Sequence, residues 1–159
     1  MPKEGFWTIG GYKISFRRDG CWYADEELIA NRRIARLFSR HLCDDGHGGW
    51  VIDVGIDRHP VTVEDTPLVV TRVDGDAVSG FTIRTNDDES EPLDCASLEV
   101  GEGNVLYCTV DRGVRGHMRA RFLRRSYYAL ARHIQVEHGR PVLHCRGRSF
   151  PIGGGITIH

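Results

Sequence analysis

Only two stretches of this 159-residue chain carry apolar side chains at helical spacing, and turn signals break the rest into runs too short for a helix. The first stretch follows Asn31, where Ile34, Leu37, Phe38, His41 and Leu42 fall on one face. Asn31 is placed to cap it, so the pattern predicts a helix over 32–42. The run Asp44-Asp45-Gly46-His47-Gly48-Gly49 reads as its exit, since glycine adopts the left-handed conformation that ends helices. In the second stretch Leu123, Tyr127, Leu130, Ala131 and Ile134 form an apolar stripe. A helix over 122–137 follows, with Gly139 and Pro141 as its stop.

The remainder reads as strand and turn. Residues 12–16 and 22–24 flank Arg17-Arg18-Asp19-Gly20, a hairpin signal. Strands are predicted near 50–54, 59–64, 67–73, 78–85, 97–100, 105–110 and 114–118, where valines supply a β-branched bias. Asp74-Gly75-Asp76 reads as a turn. Residues 86–92 read as a solvated loop, too polar to bury. A last hairpin pairs 142–145 with 148–152 about Arg146-Gly147, and Gly153-Gly154-Gly155 begins a tail expected to be mobile. The sequence carries no internal repeat. Two helices among many short strands define an α+β chain.

Charge is sorted along this framework. Residues 1–43 have a formal charge of +3, residues 44–104 of −12 and residues 105–159 of +8, summing to −1. Such sorting fits an anionic partner, or an acidic sheet packed beside a basic helix. A chain this long buries roughly 70% of its unfolded surface and needs no disulfides. Cys21, Cys43, Cys95, Cys108 and Cys145 are odd in number and widely spaced, which predicts free thiols. The longest apolar run is far short of a bilayer span, and no secretory signal opens the chain. A soluble cytoplasmic protein is expected.

Motifs for chemistry are sparse. There is no Gly-x-Ser-x-Gly elbow, Walker loop, His-Glu-x-x-His or Cys-x-x-Cys. His144-Cys145 invites a phosphatase reading, but the arginine that chemistry requires six residues later is Pro151. His41, Cys43 and His47 lack a local fourth ligand, so neither a metal nor another cofactor is expected. Arginines stand out. Arg32 and Arg33 open the first helix, and Arg124 and Arg125 open the second, where cations oppose the helix dipole. An anion bound at the helix start would offset this, and so would pairing with Glu64, Asp65 or Asp57. Arginines from Arg112 to Arg132 interleave with Phe122, Tyr127 and Tyr128, as in some single-strand binders. The sequence pI of about 6.7 and the lack of an RNA-binding signature make nucleic acid the lesser reading.

Several segments resemble a bacterial family known as domain-of-unknown-function family 1285. Arg18-Asp19-Gly20-Cys21-Trp22 resembles its opening Asp-Gly-x-Trp turn, and Arg36-Leu37-Phe38 its Arg-Leu-Phe helix. Residues 61–68 resemble its Val-x-Asp-x-Pro-Phe strand. Thr85-Asn86, Pro92-Leu93, residues 107–113, Arg124, Tyr127-Tyr128-Ala129-Leu130 and Phe150-Pro151-Ile152-Gly153 follow in family order. Val54-Gly55 replaces its Thr-Pro, although Asp57-Arg58 remains. The resemblance implies a two-part α+β fold: a small α/β part at 1–64, and a roll-like part with one long helix at 65–153, before a tail at 154–159. It implies no activity. The resulting expectation is a non-catalytic binding or regulatory module for a small anion or an acidic protein surface. Its contacts would be Arg32, Arg33, Arg36 and Arg124, with Asp57 and Arg58 as orienting partners. The alternative is an enzyme acting on an anionic metabolite through Asp57 or a histidine.

Overall fold

The computed structural model describes residues 11–154, and the chain divides at Pro67 into two compact units. Unit 1 contains β1 (Ile14–Phe16), β2 (Trp22–Ala24), β3 (Glu27–Leu28), α1 (Arg32–His41), β4 (Leu42–Asp44), β5 (Trp50–Asp53) and β6 (Arg58–Val63). Its sheet has the order β3-β2-β1-β6-β5-β4, antiparallel except for the central parallel pair β1/β6. Parallel neighbours need a long crossover, and α1 lies within it. Asn31 caps α1 as expected, its Oδ1 accepting the N–H groups of Arg33 and Ile34 at 2.9 and 3.2 Å. The core gathers on Trp22, which is 1% exposed and packs against Phe16 at a tilt and Phe38 edge-on, at centroid distances of 4.9 and 5.4 Å. Its indole N–H donates to buried Ser39 Oγ at 2.9 Å, which satisfies both polar groups in an apolar setting.

Unit 2 contains β7 (Leu68–Asp76), β8 (Gly80–Thr85), β9 (Ser90–Pro92), β10 (Glu99–Val100), β11 (Leu106–Asp111), β12 (His117–Phe122), α2 (Arg124–Ala131), β13 (Ile134–Glu137), β14 (Arg140–Cys145) and β15 (Arg148–Pro151). Six strands form a sheet ordered β10-β11-β12-β7-β8-β9, again with one central parallel pair, β12/β7. The other three make an antiparallel meander, β13-β14-β15. Both six-stranded sheets are therefore two three-stranded meanders joined through a parallel centre. The chain repeats a topology although its sequence shows no repeat.

The α+β class holds, but several local expectations change. The second helix ends at Ala131, and Ile134–Glu137 is a strand. Gly139 is not a helix stop. His138 and Gly139 both have positive φ (54° and 77°) and form the two-residue turn between β13 and β14. The glycine run after α1 likewise serves a hairpin, since α1 passes directly into β4 and residues 45–49 turn it into β5. The strand read at 114–118 lies at His117–Phe122, and that read at 97–100 is shortened to Glu99–Val100 after a 3-10 turn at Cys95–Ser97. β7 runs through Asp74-Gly75-Asp76, and the turn falls at residues 77–79, where Asp76 Oδ1 accepts from the N–H groups of Val78 and Ser79. Gly153 bridges to Glu99, while residues 155–159 of the expected tail lie outside the described residues.

Candidate functional site

Residues 86–92, expected to be a solvated loop, contain the most buried charge among the described residues. Asp87 is 0% exposed, and Ser90–Pro92 pairs with β8 as β9. Thr85 Oγ1 donates to Asp87 Oδ1 at 2.5 Å, and Arg112 Nε donates to Asp87 Oδ2 at 2.7 Å. The same guanidinium reaches Thr85 Oγ1 at 2.6 Å and bonds Glu91, while Arg115 approaches Asp87 Oδ2 at 3.1 Å. The side chain of Arg112 is 8% exposed. Burial alone would push the Asp87 carboxyl up. The hydrogen bonds from Arg112 and Thr85, with the charges of Arg112 and Arg115, outweigh it and hold the group below the usual carboxylate range. Burial acts against the Arg112 charge too, but its bonds to Asp87 and Glu91 raise its pKa overall. Among the described residues no buried side-chain nitrogen or oxygen lacks a hydrogen-bond partner, and this cluster ties the β8–β9 turn to the β11–β12 turn as a structural clamp.

An open site lies elsewhere in unit 2. The residue before α2, Leu123, gives no side-chain cap, and no acid occupies the first turn. Arg124 and Arg125 stand there instead, both exposed. Ser126 is buried, its Oγ 2.6 Å from the Val70 carbonyl oxygen and 2.8 Å from that of Leu123, so it fastens the helix start to β7. Beside it the pairing of β7 with β8 slips between Val70 and Arg72, and Thr71 Oγ1 donates to the Arg84 carbonyl at 3.1 Å. The result is a cleft of about 290 Å³ lined by Thr71, Arg72 and Val73 from β7 and by Arg125, Ser126 and Ala129 from α2. Arg72 is shared with Asp74 at 2.8 Å. Among the described residues Arg125 makes no ion pair.

The residues expected to form the site are placed as follows. Arg32, Arg33 and Arg36 are exposed on α1 of unit 1, and Arg124 is exposed on α2 of unit 2. Arg33 and Arg36 are engaged in interactions within the protein. Arg58 pairs with Asp53 at 3.4 Å across the β5–β6 hairpin, whose turn contains exposed Asp57. Glu64, an expected partner for helix arginines, bonds Arg18 at 3.0 Å. His41 is half-buried at the end of α1, and His47 is exposed in the following turn. Among the described residues no three His, Cys, Asp or Glu side chains gather as metal ligands would. All five cysteines are unpaired, and burial pushes the Cys95 and Cys108 thiols up to about 12, far from a reactive thiolate. Arg125 was legible as one of the arginines that open the second helix, whereas Arg72 lies in the acidic middle segment and carried no signal, because the cleft is made by a bulge and a helix distant in sequence.

Two six-stranded sheets of one topology, a helix in the first crossover and a terminal meander define the class: an α+β protein of two β-rich units. Two solved structures with a similar fold are of DUF1285 family proteins. The chain is similar to one from Silicibacter pomeroyi DSS-3, with a TM-score of 0.71 and 21% identity over 89% of this chain and 80% of that one. A second, from Shewanella baltica OS155, gives a TM-score of 0.60 and 18% identity over 77% and 92% of the two chains. No protein-family model matches the sequence, and no curated protein does. The fold is thus the one that the sequence motifs resemble, and the likeness carries no activity. Among the described residues no helix is long and apolar enough to cross a membrane.

Proposed function

We propose that the protein is a binding or regulatory module that takes a small oxyanion, such as phosphate or a carboxylate, in the β7–α2 cleft of unit 2. The observation that carries this reading is the cleft itself: Arg72 and Arg125 line it and no carboxylate does, while the Thr71 and Ser126 hydroxyls beside them donate to backbone carbonyls and hold its walls. A guanidinium fork is suited to two oxygens of one anion. The uncapped first turn of α2 adds backbone N–H groups and the positive end of its dipole. The reading is non-catalytic at this cleft, because no general base lines it. Arg124 joins the site as its outer arginine. On unit 1, Arg32, Arg33 and Arg36 with Asp57 and Arg58 are proposed as a further polar surface for an acidic protein partner. A cytoplasmic setting belongs to the same proposal, supported by five cysteines that are all unpaired.

Thermal melts in phosphate, sulfate and chloride at matched ionic strength test the cleft. A specific anion stabilises by mass action, by about 2.7 kcal/mol at a hundredfold excess over its Kd. The expected result is a higher Tm in phosphate or sulfate than in chloride, reduced in Arg125→Ala and Arg72→Ala and unchanged in Arg32→Ala. Equal melting in all three salts, or a shift that survives both cleft variants, removes the reading and leaves a general salt effect.

A further inference from the structure

The terminal meander holds a chain of three polar side chains that neither the clamp nor the cleft uses. Its strands lie in the order β13-β14-β15, and each contributes one group: Glu137, His144 and Ser149. His144 Nε2 is 2.5 Å from Glu137 Oε2, and Ser149 Oγ is 3.1 Å from His144 Nδ1. The carboxylate fixes one proton. A carboxylate only accepts, so Nε2 carries the hydrogen that Glu137 receives. In a neutral imidazole Nδ1 is then the bare nitrogen, and the Ser149 hydroxyl donates to it. Carboxylate, imidazole and hydroxyl thus stand in the order of a nucleophile activated by an oriented base, with the two ring nitrogens in exchanged roles.

Backbone geometry supports the arrangement. His144 and Ser149 are directly opposed across β14 and β15, which fixes their separation by register. The turn joining those strands, Arg146-Gly147, has φ of 53° and 76°, as the tightest hairpin requires. It is anchored to the β7–β8 turn: Arg146 N–H donates to the Ala77 carbonyl at 2.8 Å and Arg146 Nε to that of Ser79 at 3.0 Å. The strand carrying the hydroxyl is therefore held at its start. Ser149 is exposed, and the His144 side chain is 35% exposed, so a substrate can reach both.

We propose that Glu137, His144 and Ser149 form an acyl-transfer centre in which Ser149 is acylated by carboxylic esters. Ser149 Oγ attacks the ester carbonyl while its proton passes to His144 Nδ1, and Glu137 holds the imidazolium that results. The tetrahedral adduct collapses, the bond to the alcohol oxygen breaks, and Nδ1 returns its proton to that oxygen. Water attacks the acyl-serine by the same proton path, which releases the carboxylic acid and restores the hydroxyl. Ser149 lies on an open strand rather than in a deep cavity, so leaving-group reactivity selects the ester more than its size. The centre is independent of the oxyanion cleft.

A fluorophosphonate probe tests this on the full chain: Ser149 Oγ forms a bond to phosphorus as the P–F bond breaks and HF leaves. Mass spectrometry of the digested protein should place one label per chain on Ser149, absent in Ser149→Ala. General-base assistance is worth about 10²–10⁴-fold, so His144→Gln should slow labelling at least about a hundredfold. Glu137 acts as a positioning residue, read by imidazole ¹⁵N shifts: Glu137→Gln should abolish the single Nε2–H tautomer of His144 seen in the parent protein. Thermal melts confirm that each variant is folded, and His144→Asn replaces any that is not. An unlabelled Ser149 after prolonged exposure overturns the proposal, as does labelling at an unchanged rate in the folded His144 variants. A mixed tautomer in the parent protein also overturns it, because Nδ1 would then not be the base. The three residues would then be a cross-strand polar contact only.

Discussion

The two six-stranded sheets solve one topological problem with opposite chemistry. In each, two meanders meet at a parallel pair, β1/β6 in unit 1 and β12/β7 in unit 2. Unit 1 organises its centre around Trp22, Phe16 and Phe38, with an indole-to-serine bond from Trp22 to Ser39. Unit 2 secures its turns with a buried ionic cluster, Asp87–Arg112–Glu91. Strand order does not depend on which is used. An apolar cluster draws on area removed from water, whereas an ionic one must first overcome desolvation and succeeds only when every lone pair and N–H is met. The ionic solution should therefore be the more sensitive to loss of one partner and to pH.

The largest expected effects break each solution. Arg112→Ala leaves Asp87 charged, buried and deprived of its main partner, and should destabilise unit 2 by about 3–5 kcal/mol. Trp22→Ala should cost unit 1 a similar amount, about 3–5 kcal/mol. Urea titration followed by far-UV circular dichroism measures both. If Arg112→Ala proved nearly neutral, the clamp would be an incidental surface network. Next comes Ser39→Ala, which leaves the Trp22 indole N–H without its acceptor at a cost of about 1–3 kcal/mol. Tryptophan emission follows that loss within unit 1, because all three tryptophans fall in residues 1–67.

Acid should separate the two solutions. The Asp87 pKa is lowered in the folded protein, so its contribution is present above the unfolded carboxylate pKa, about 4, and is lost as pH falls through the lower folded value. Stability measured from pH 5 downward should decline less steeply in Asp87→Asn than in the parent protein. Equal slopes would show that Asp87 is not linked to folding. The smallest effect belongs to Asn31→Ala, which removes the α1 cap for about 1 kcal/mol.

The α1 cap, the Asp19-Gly20 hairpin and most strands were legible because each depends on residues within a few positions of one another. The start of α2 was legible too. Its end was not, since Gly139 serves a helix stop and a two-residue hairpin turn equally well, and only pairing with β14 selects the turn. Asp87 was misread for a related reason. A carboxylate in a run of Asn, Asp, Glu and Ser belongs in solvent unless a cation meets it, and here the cation is 25 residues away on another turn. Arg72 with Arg125, and Glu137 with His144 and Ser149, were hidden in the same way. Local propensity, capping and turn chemistry thus reside in the sequence by itself. Which charges are buried, which arginines share a cleft and which side chains align across three strands were decided by tertiary structure, because long-range pairing alone fixes the distances on which desolvation and hydrogen bonding depend.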